Sequence, residues 1–235
     1  MPMLELPPAY SLVTMRDTTD PFAYACRRAA AASAGTFVLA ERSDRLEFAV
    51  VLEPDEKLAS ARRAFFAGMN ALANSIASHC PPEKPIDFDW PDRLRFNRAL
   101  IGGGRLGWPE ECPEDRIPEW IVFSATVIAA KVETGDPGLV PMFTSLEEEG
   151  FETTAMQAIA ESFARHLMLA FDLWHERGFD AISATYIDRL TRELAMKRLS
   201  IDVNGDLISR DEGSLAQRLP LLPALQTSTW RDLLA

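Results

Sequence analysis

Three cysteines, Cys26, Cys80 and Cys112, are all that the 235 residues contain, and they lie far apart. An odd, scattered set cannot build a disulfide framework, which points to a reducing cytoplasm. Positive charge is also scarce: the net charge of −11 leaves no broad basic surface for nucleic acid or an anionic membrane. No apolar run approaches the ~18 residues of a membrane span. The N-terminus, MPMLELPPAYSL, lacks the basic flank and apolar stretch of a signal peptide. The three histidines (His79, His166, His175) stand at no metal-ligand spacing with each other or with Cys or carboxylates, so a metal site is not expected. A P-loop, a dinucleotide glycine motif and a Ser-His-Asp pattern are absent as well.

What is present is an ordinary globular composition, 47% hydrophobic and 25% charged, enough for a full core. Residues 20–33 place Phe22, Cys26, Ala29 and Ala30 at helical spacing after Asp20-Pro21, and Gly35 ends that helix. TFVLA (36–40) and LEFAVVL (46–52) read as two buried strands joined by a short polar turn. Leu58, Phe65, Met69, Leu72 and Ile76 mark one helix face before Pro81-Pro82. A strong strand runs from Trp120 to Ala130. Thr144 to Gly150 reads as a polar turn of helix. Ile159, Phe163, Leu167, Ala170 and Trp174 mark a long amphipathic helix stopped at Gly178, and 180–195 is expected to be helical. Arg198 to Arg210 alternates around Asn204-Gly205, the dipeptide of a tight hairpin. Strands interleaved irregularly with helices predict an α+β fold.

The stretch Asp89-Trp90-Pro91-Asp92, a short strand, then Leu100-Ile101-Gly102-Gly103-Gly104 carries the most information. Consecutive glycines cost backbone entropy and give a core nothing to pack. They suit a place where another backbone or a flat ligand comes close, or equally a bulge or strand crossing. Trp90 suits a pocket wall or an ordinary core position.

These residues resemble the signature of the biotin and lipoate protein ligases: Lys-Trp-Pro-Asn-Asp, a strand, Lys-Leu, then Ala-Gly. Asp17-Thr18-Thr19-Asp20 is similar to that family's Asp-Ser-Thr-Asn. Gly35 to Glu41 is similar to its strand before the ligand loop, and Thr144-Ser145-Leu146 with Glu149-Gly150 to its Thr-Ser-Leu…Glu-Gly segment. Ile201 to Leu207 stands where biotin ligases carry a small C-terminal barrel. The resemblance implies a mixed, mostly antiparallel sheet with helices on one face over residues 1–190, and a small β appendage over 191–235.

It also implies an activity. A small carboxylic acid (biotin, lipoate or octanoate) is activated by ATP with Mg and passed to a lysine of a carrier protein. Gly102, Gly103 and Gly104 would cradle the ligand, Thr18 and Thr19 would touch the acid, and Trp90 and Asp92 would shape the pocket. Apolar sheet faces in such proteins can pair into a homodimer.

The charges of the family pattern are missing. Its first lysine is Asp89 here and its adenylate-holding lysine falls at Ala99; its Arg/Gly-rich loop shrinks to Glu41-Arg42-Ser43-Asp44-Arg45. Adenylation needs cations at the phosphate that develops charge. Arg105 and Lys131 are the expected substitutes, with Arg93 and Arg95 as further candidates. Two other classes stay open: a binder of the acid or carrier that has lost adenylation, and an ATP-independent acyl transferase using Cys112 or Lys131. Cys112 sits among carboxylates, which oppose thiolate formation.

Overall fold

The computed structural model describes residues 4–16, 19–80, 84–131, 142–152, 154–191, 198–210, 216–228 and 230–231. Seven strands form the main sheet: β1 (Ser11–Arg16), β2 (Thr36–Glu41), β3 (Arg45–Leu52), β4 (Ile86–Asp89), β5 (Arg93–Phe96), β6 (Ala99–Gly107) and β7 (Ile121–Ile128). Their order is β1-β2-β3-β7-β6-β5-β4. β1 runs parallel to β2, and every other pairing is antiparallel.

The alternation along the central strands assigns two faces. Phe37, Phe48, Val50, Phe123, Ala125 and Val127 point to one side and meet α3 (Ala64–Ala77), α4 (Ala155–Arg177) and α5 (Phe179–Ile187). Phe48 and Phe163 lie with ring centroids 4.5 Å apart, and Phe123 stacks on Phe163 at 5.7 Å. Each such buried ring contributes on the order of 2–3 kcal/mol, so this layer holds the sheet and helices together. α4 ends where the sequence expects, at Gly178, whose φ of 78° suits glycine.

On the opposite face, α1 (Pro21–Arg28) lays Ala25 on Val38, Ala49, Val51 and Val122, helped by Ala29 of the short 3-10 turn that follows. Ala25 and Ala29 are small, so this helix sits low. It covers only one end of its face.

The sequence predicts most of these elements, with three differences. The helix expected at 20–33 divides into α1 and the 3-10 turn Ala29–Ala31. The face from Leu58 to Ile76 divides into α2 (Leu58–Ala61) and α3, around Arg62, whose guanidinium is turned to Glu114 and Trp108. The strands β1 and β4 carry no periodicity long enough to announce them.

Strands β8 (Arg198–Ile201), β9 (Leu207–Arg210) and β10 (Gln217–Leu219) form a second, antiparallel sheet, followed by α6 (Leu221–Gln226). The Asn204-Gly205 turn is as expected: Asp202 Oδ1 accepts from the amides of Asn204 and Asp206, and Gly205 has φ 86°. Ile201, Leu207 and Leu221 join the main core, so this small sheet is stabilised by docking. Among the described residues, no helix is long and apolar enough to cross a membrane.

Candidate functional site

α1 leaves part of its sheet face uncovered, and strand register dictates what lies there. Glu47, Thr126 and Gly103 form one cross-strand row; Ala49, Ser124 and Arg105 form the next. Val51, Val122 and Gly107 form the third, which α1 covers. Apart from Ala49, which Ala25 of α1 covers, the first two rows make a polar floor.

Two cavities stand on it. One, of about 210 Å³, is lined by Asp20, Arg42, Arg45, Glu47, Arg105, Ser124, Thr126 and Arg231, among others. The other, of about 420 Å³, includes Phe22, Asp92, Gly104, Arg105, Trp230 and Arg231. Arg105 and Arg231 belong to both, so the cavities adjoin across these two guanidinium groups.

Each cation has a local origin. Arg105 leaves β6 beside α1, donates to Asp20 Oδ2 at 2.8 Å and lies over the Phe22 ring at 3.9 Å. Asp20 in turn caps α1, its Oδ1 accepting from the Phe22 amide at 2.9 Å. Arg42 and Arg45 come from the β2–β3 turn and both donate to Asp44. Burial pushes the Asp44 carboxyl up, but the hydrogen bonds of Arg42 and Arg45 outweigh it and bring it down to about 2. Glu47 shifts the other way: burial raises it, and its arginines, at 3.8 and 4.0 Å, only partly compensate.

Arg231 reaches the site from beyond α6. Its Nη2 lies 3.5 Å from Thr126 Oγ1, and its buried Nε has no hydrogen-bond partner among the described residues. Burial takes this guanidinium down to about 10. A half-buried cation with a buried, unpartnered Nε suits an anionic ligand.

Of the expected residues, Gly103 lies in the floor: a Cβ there would meet the Asp92 carbonyl and stand 2.8 Å from Trp230 Cζ2. Gly104 borders the larger cavity, yet its missing Cβ points to Met69 and Phe123 in the core. Gly102 lies against the β7 backbone at Thr126. Asp92 is buried beside the larger cavity and accepts from Trp230 Nε1 at 2.9 Å; burial raises its carboxyl. Thr19 is exposed just before the helix cap, and Thr18 falls outside the described residues.

Other expected residues stand elsewhere. Trp90 packs on Phe66 and against Tyr186, on the helix-covered side of the sheet. Lys131 pairs with Glu148 at 2.8 Å and lines neither cavity. Arg95 is held by Asp89 at 2.6 Å. Cys112 sits in the loop after β6, near the carbonyls of Pro113 and Arg116.

Sequence reasoning set Arg42 and Arg45 aside as remnants of a lost loop, whereas they line the smaller cavity. It missed Asp20 as a site residue, although the residue stands in the quoted Asp-Thr-Thr-Asp. Trp230 and Arg231 had no signal, since nothing in their neighbourhood links them to β6. Among the described residues no group of three His, Cys, Asp or Glu is placed to hold a metal ion.

The biotin/lipoate A/B protein ligase family profile matches residues 6–188. A biotin protein ligase-like protein of unknown function from Silicibacter sp. TM1040 is 26% identical, with a TM-score of 0.80, over 95% of this chain and 99% of that one. The biotin protein ligase of Aquifex aeolicus superposes with a TM-score of 0.68 at 12% identity, covering 89% of this chain and 95% of that one. The Leishmania major biotin protein ligase in complex with biotinyl-5-AMP gives 0.56 at 15%, covering 91% and 99%. No curated protein matches the chain in sequence.

Proposed function

Because the chain belongs to the biotin/lipoate A/B protein ligase family, we propose that its two adjoining cavities bind a small carboxylic acid of the biotin, lipoate or octanoate class and activate it with ATP. The observation that carries this reading is the convergence of Arg42, Arg45, Arg105 and Arg231 on one polar floor. These cations stand in for the lysine replaced by Ala99 and for the shortened loop. In the first step a carboxylate oxygen attacks the α-phosphorus, the bond to the bridging oxygen breaks, and pyrophosphate leaves. The acyl adenylate then meets a neutral carrier lysine; the new amide forms, AMP leaves, and the amine loses a proton.

The chain's own residues have definite parts in this scheme. Arg105, fixed by Asp20, and Arg231 face charge at the boundary of the cavities, where preorganised cations stabilise a transition state most. Ser124 donates to the Phe48 carbonyl at 2.7 Å, which leaves its oxygen free to accept. Mg would enter with the ATP phosphates, and Asp20 and Glu47 are the carboxylates lining the smaller cavity that would offer it oxygen.

One observation favours a second reading, a binder without adenylation: Arg42, Arg45 and Arg105 already hold carboxylates of their own. The ATP-independent transferase has less support. Among the described residues no lysine or cysteine lines either cavity, and Cys26, nearest the floor, has its thiol pushed up to about 11 by burial. The proposal includes a cytoplasmic location, consistent with three free cysteines, and residues 191–235 as a distinct C-terminal unit.

ATP–pyrophosphate exchange with biotin, lipoate and octanoate in turn tests the reading. Exchange that depends on one acid is expected. Acid binding by calorimetry with no exchange would establish the binder instead.

A further inference from the structure

The indole of Trp230 is 1% exposed and lies against the one glycine of β6 that faces the floor. Its N–H donates to the buried Asp92 carboxylate, 138 positions earlier in the chain. The adenine of ATP is likewise a planar heterocycle with an N–H donor, and its phosphates suit the two guanidinium groups, Arg105 and Arg231, that line the same cavity. We propose that Trp230 is an internal occupant of the ring subsite, and that the base of ATP takes its place when the nucleotide binds. This inference rests on the reading of the cavities as an acid- and ATP-binding site.

Three features support it. The larger cavity adjoins the indole, so a ring has room to approach the same Asp92 carboxylate. The tail is held by side chains: Trp230 Nε1 donates to Asp92, and Arg231 Nη2 lies 3.5 Å from Thr126 Oγ1. Side-chain contacts of this kind open locally without unfolding a core. Finally, the neighbouring Arg231 spans both cavities with its Nε unpartnered, so an anion entering there gains a donor the tail itself leaves unused.

The proposal separates the site into an acid chamber that is open at rest and a ring subsite that the tail fills. Acid therefore binds the resting chain, while ATP binding is weakened by the work of expelling the indole. The apparent affinity falls by the fraction of molecules with the indole out and Arg231 still in place at the boundary of the cavities.

The full chain labelled with 5-fluorotryptophan gives the direct test, because its five tryptophans yield five fluorine resonances and Trp230→Phe assigns one of them. With ATP added, the Trp230 resonance should move to a solvent-exposed position while those of Trp90, Trp120 and Trp174, which line neither cavity, stay; Trp108 borders the larger cavity and shifts with the bound base. Trp230→Ala should bind ATP at least tenfold more tightly than the native chain, with acid affinity within threefold. Should Trp230→Ala fold poorly, the fluorine titration of the native chain decides alone. ATP binding with the Trp230 resonance unmoved overturns the proposal. Acid binding with no ATP binding in either the native or the Trp230→Ala chain overturns it too, and leaves the binder. Failure of both acid and ATP to bind removes the functional reading itself.

Discussion

Arg105 and Asp20 meet at 2.8 Å, and through this contact a strand residue of the floor is tied to the cap of α1. The pair is part-exposed, 36% and 47%, so as a salt bridge it contributes at most about 1 kcal/mol to stability. Its consequence is orientation: the guanidinium is held over Phe22 at the boundary of the two cavities.

Arg105→Ala should therefore weaken acid binding by roughly 10- to 100-fold, the loss of a charged hydrogen bond of about 1.5–3 kcal/mol, with a small change in thermal midpoint. Titration calorimetry and a melt on the same sample separate the two. Unchanged acid affinity together with unchanged ATP–pyrophosphate exchange would take Arg105 out of the site.

Glu47→Gln tests the polar floor through pH. The Glu47 carboxyl is raised by burial, so the folded state binds its proton more readily than the unfolded state does. Stability is then gained as pH falls through the folded value, and the ionised form is a cost at neutral pH. The Gln variant should be at least as stable as the native chain at pH 7, and the difference should vanish near pH 4. Asp44 has the opposite sign: held down to about 2, it contributes stability above its ordinary range that is lost between about pH 4 and 2. Asp44→Asn should flatten that acid limb in melts taken from pH 2 to 7.

A methyl group at position 103 has nowhere to go between the Asp92 backbone and the indole of Trp230. Gly103→Ala should cost on the order of 1–3 kcal/mol, the range for overpacking, and displace the tail. Denaturant melts would read the first effect and fluorine spectroscopy of Trp230 the second. A variant of native stability with an unmoved resonance would show that the strand gives way more easily than the geometry says.

Lys131→Ala and Cys112→Ser should leave acid binding unchanged, because both side chains stand away from the cavities. Loss of acyl transfer in either variant would revive the ATP-independent transferase.

The sheet was legible in sequence where strands are long and buried. TFVLA and LEFAVVL carry enough continuous apolar residues to declare β2 and β3, whereas β1 (SLVTMR), as long as β2 but interrupted by polar residues, and β4 (IDFD), of four residues, lie at the two edges of the sheet and borrow their order from neighbours. Asn204-Gly205 declared its hairpin because the turn is a local matter. The site was legible only where it too is local. Gly103 and Arg105 follow from a glycine run that makes no sense in a core. Arg231 and Trp230 reach the same floor through tertiary docking, which no spacing rule encodes. Arg42 and Arg45 are visible in the sequence, but a short turn there resembles a shortened loop, and only the strand pairing shows two cations at its end.

The Asp92–Trp230 hydrogen bond also has a place in time. Its partners are 138 positions apart, and at ~5–20 residues per second their synthesis is separated by on the order of ten seconds. Strands β3, β6 and β7 are on hand well before the indole that covers Gly103. A newborn chain therefore passes through a period in which its floor exists and its tail does not. Long-range closures of this kind are late events in folding as well as in translation.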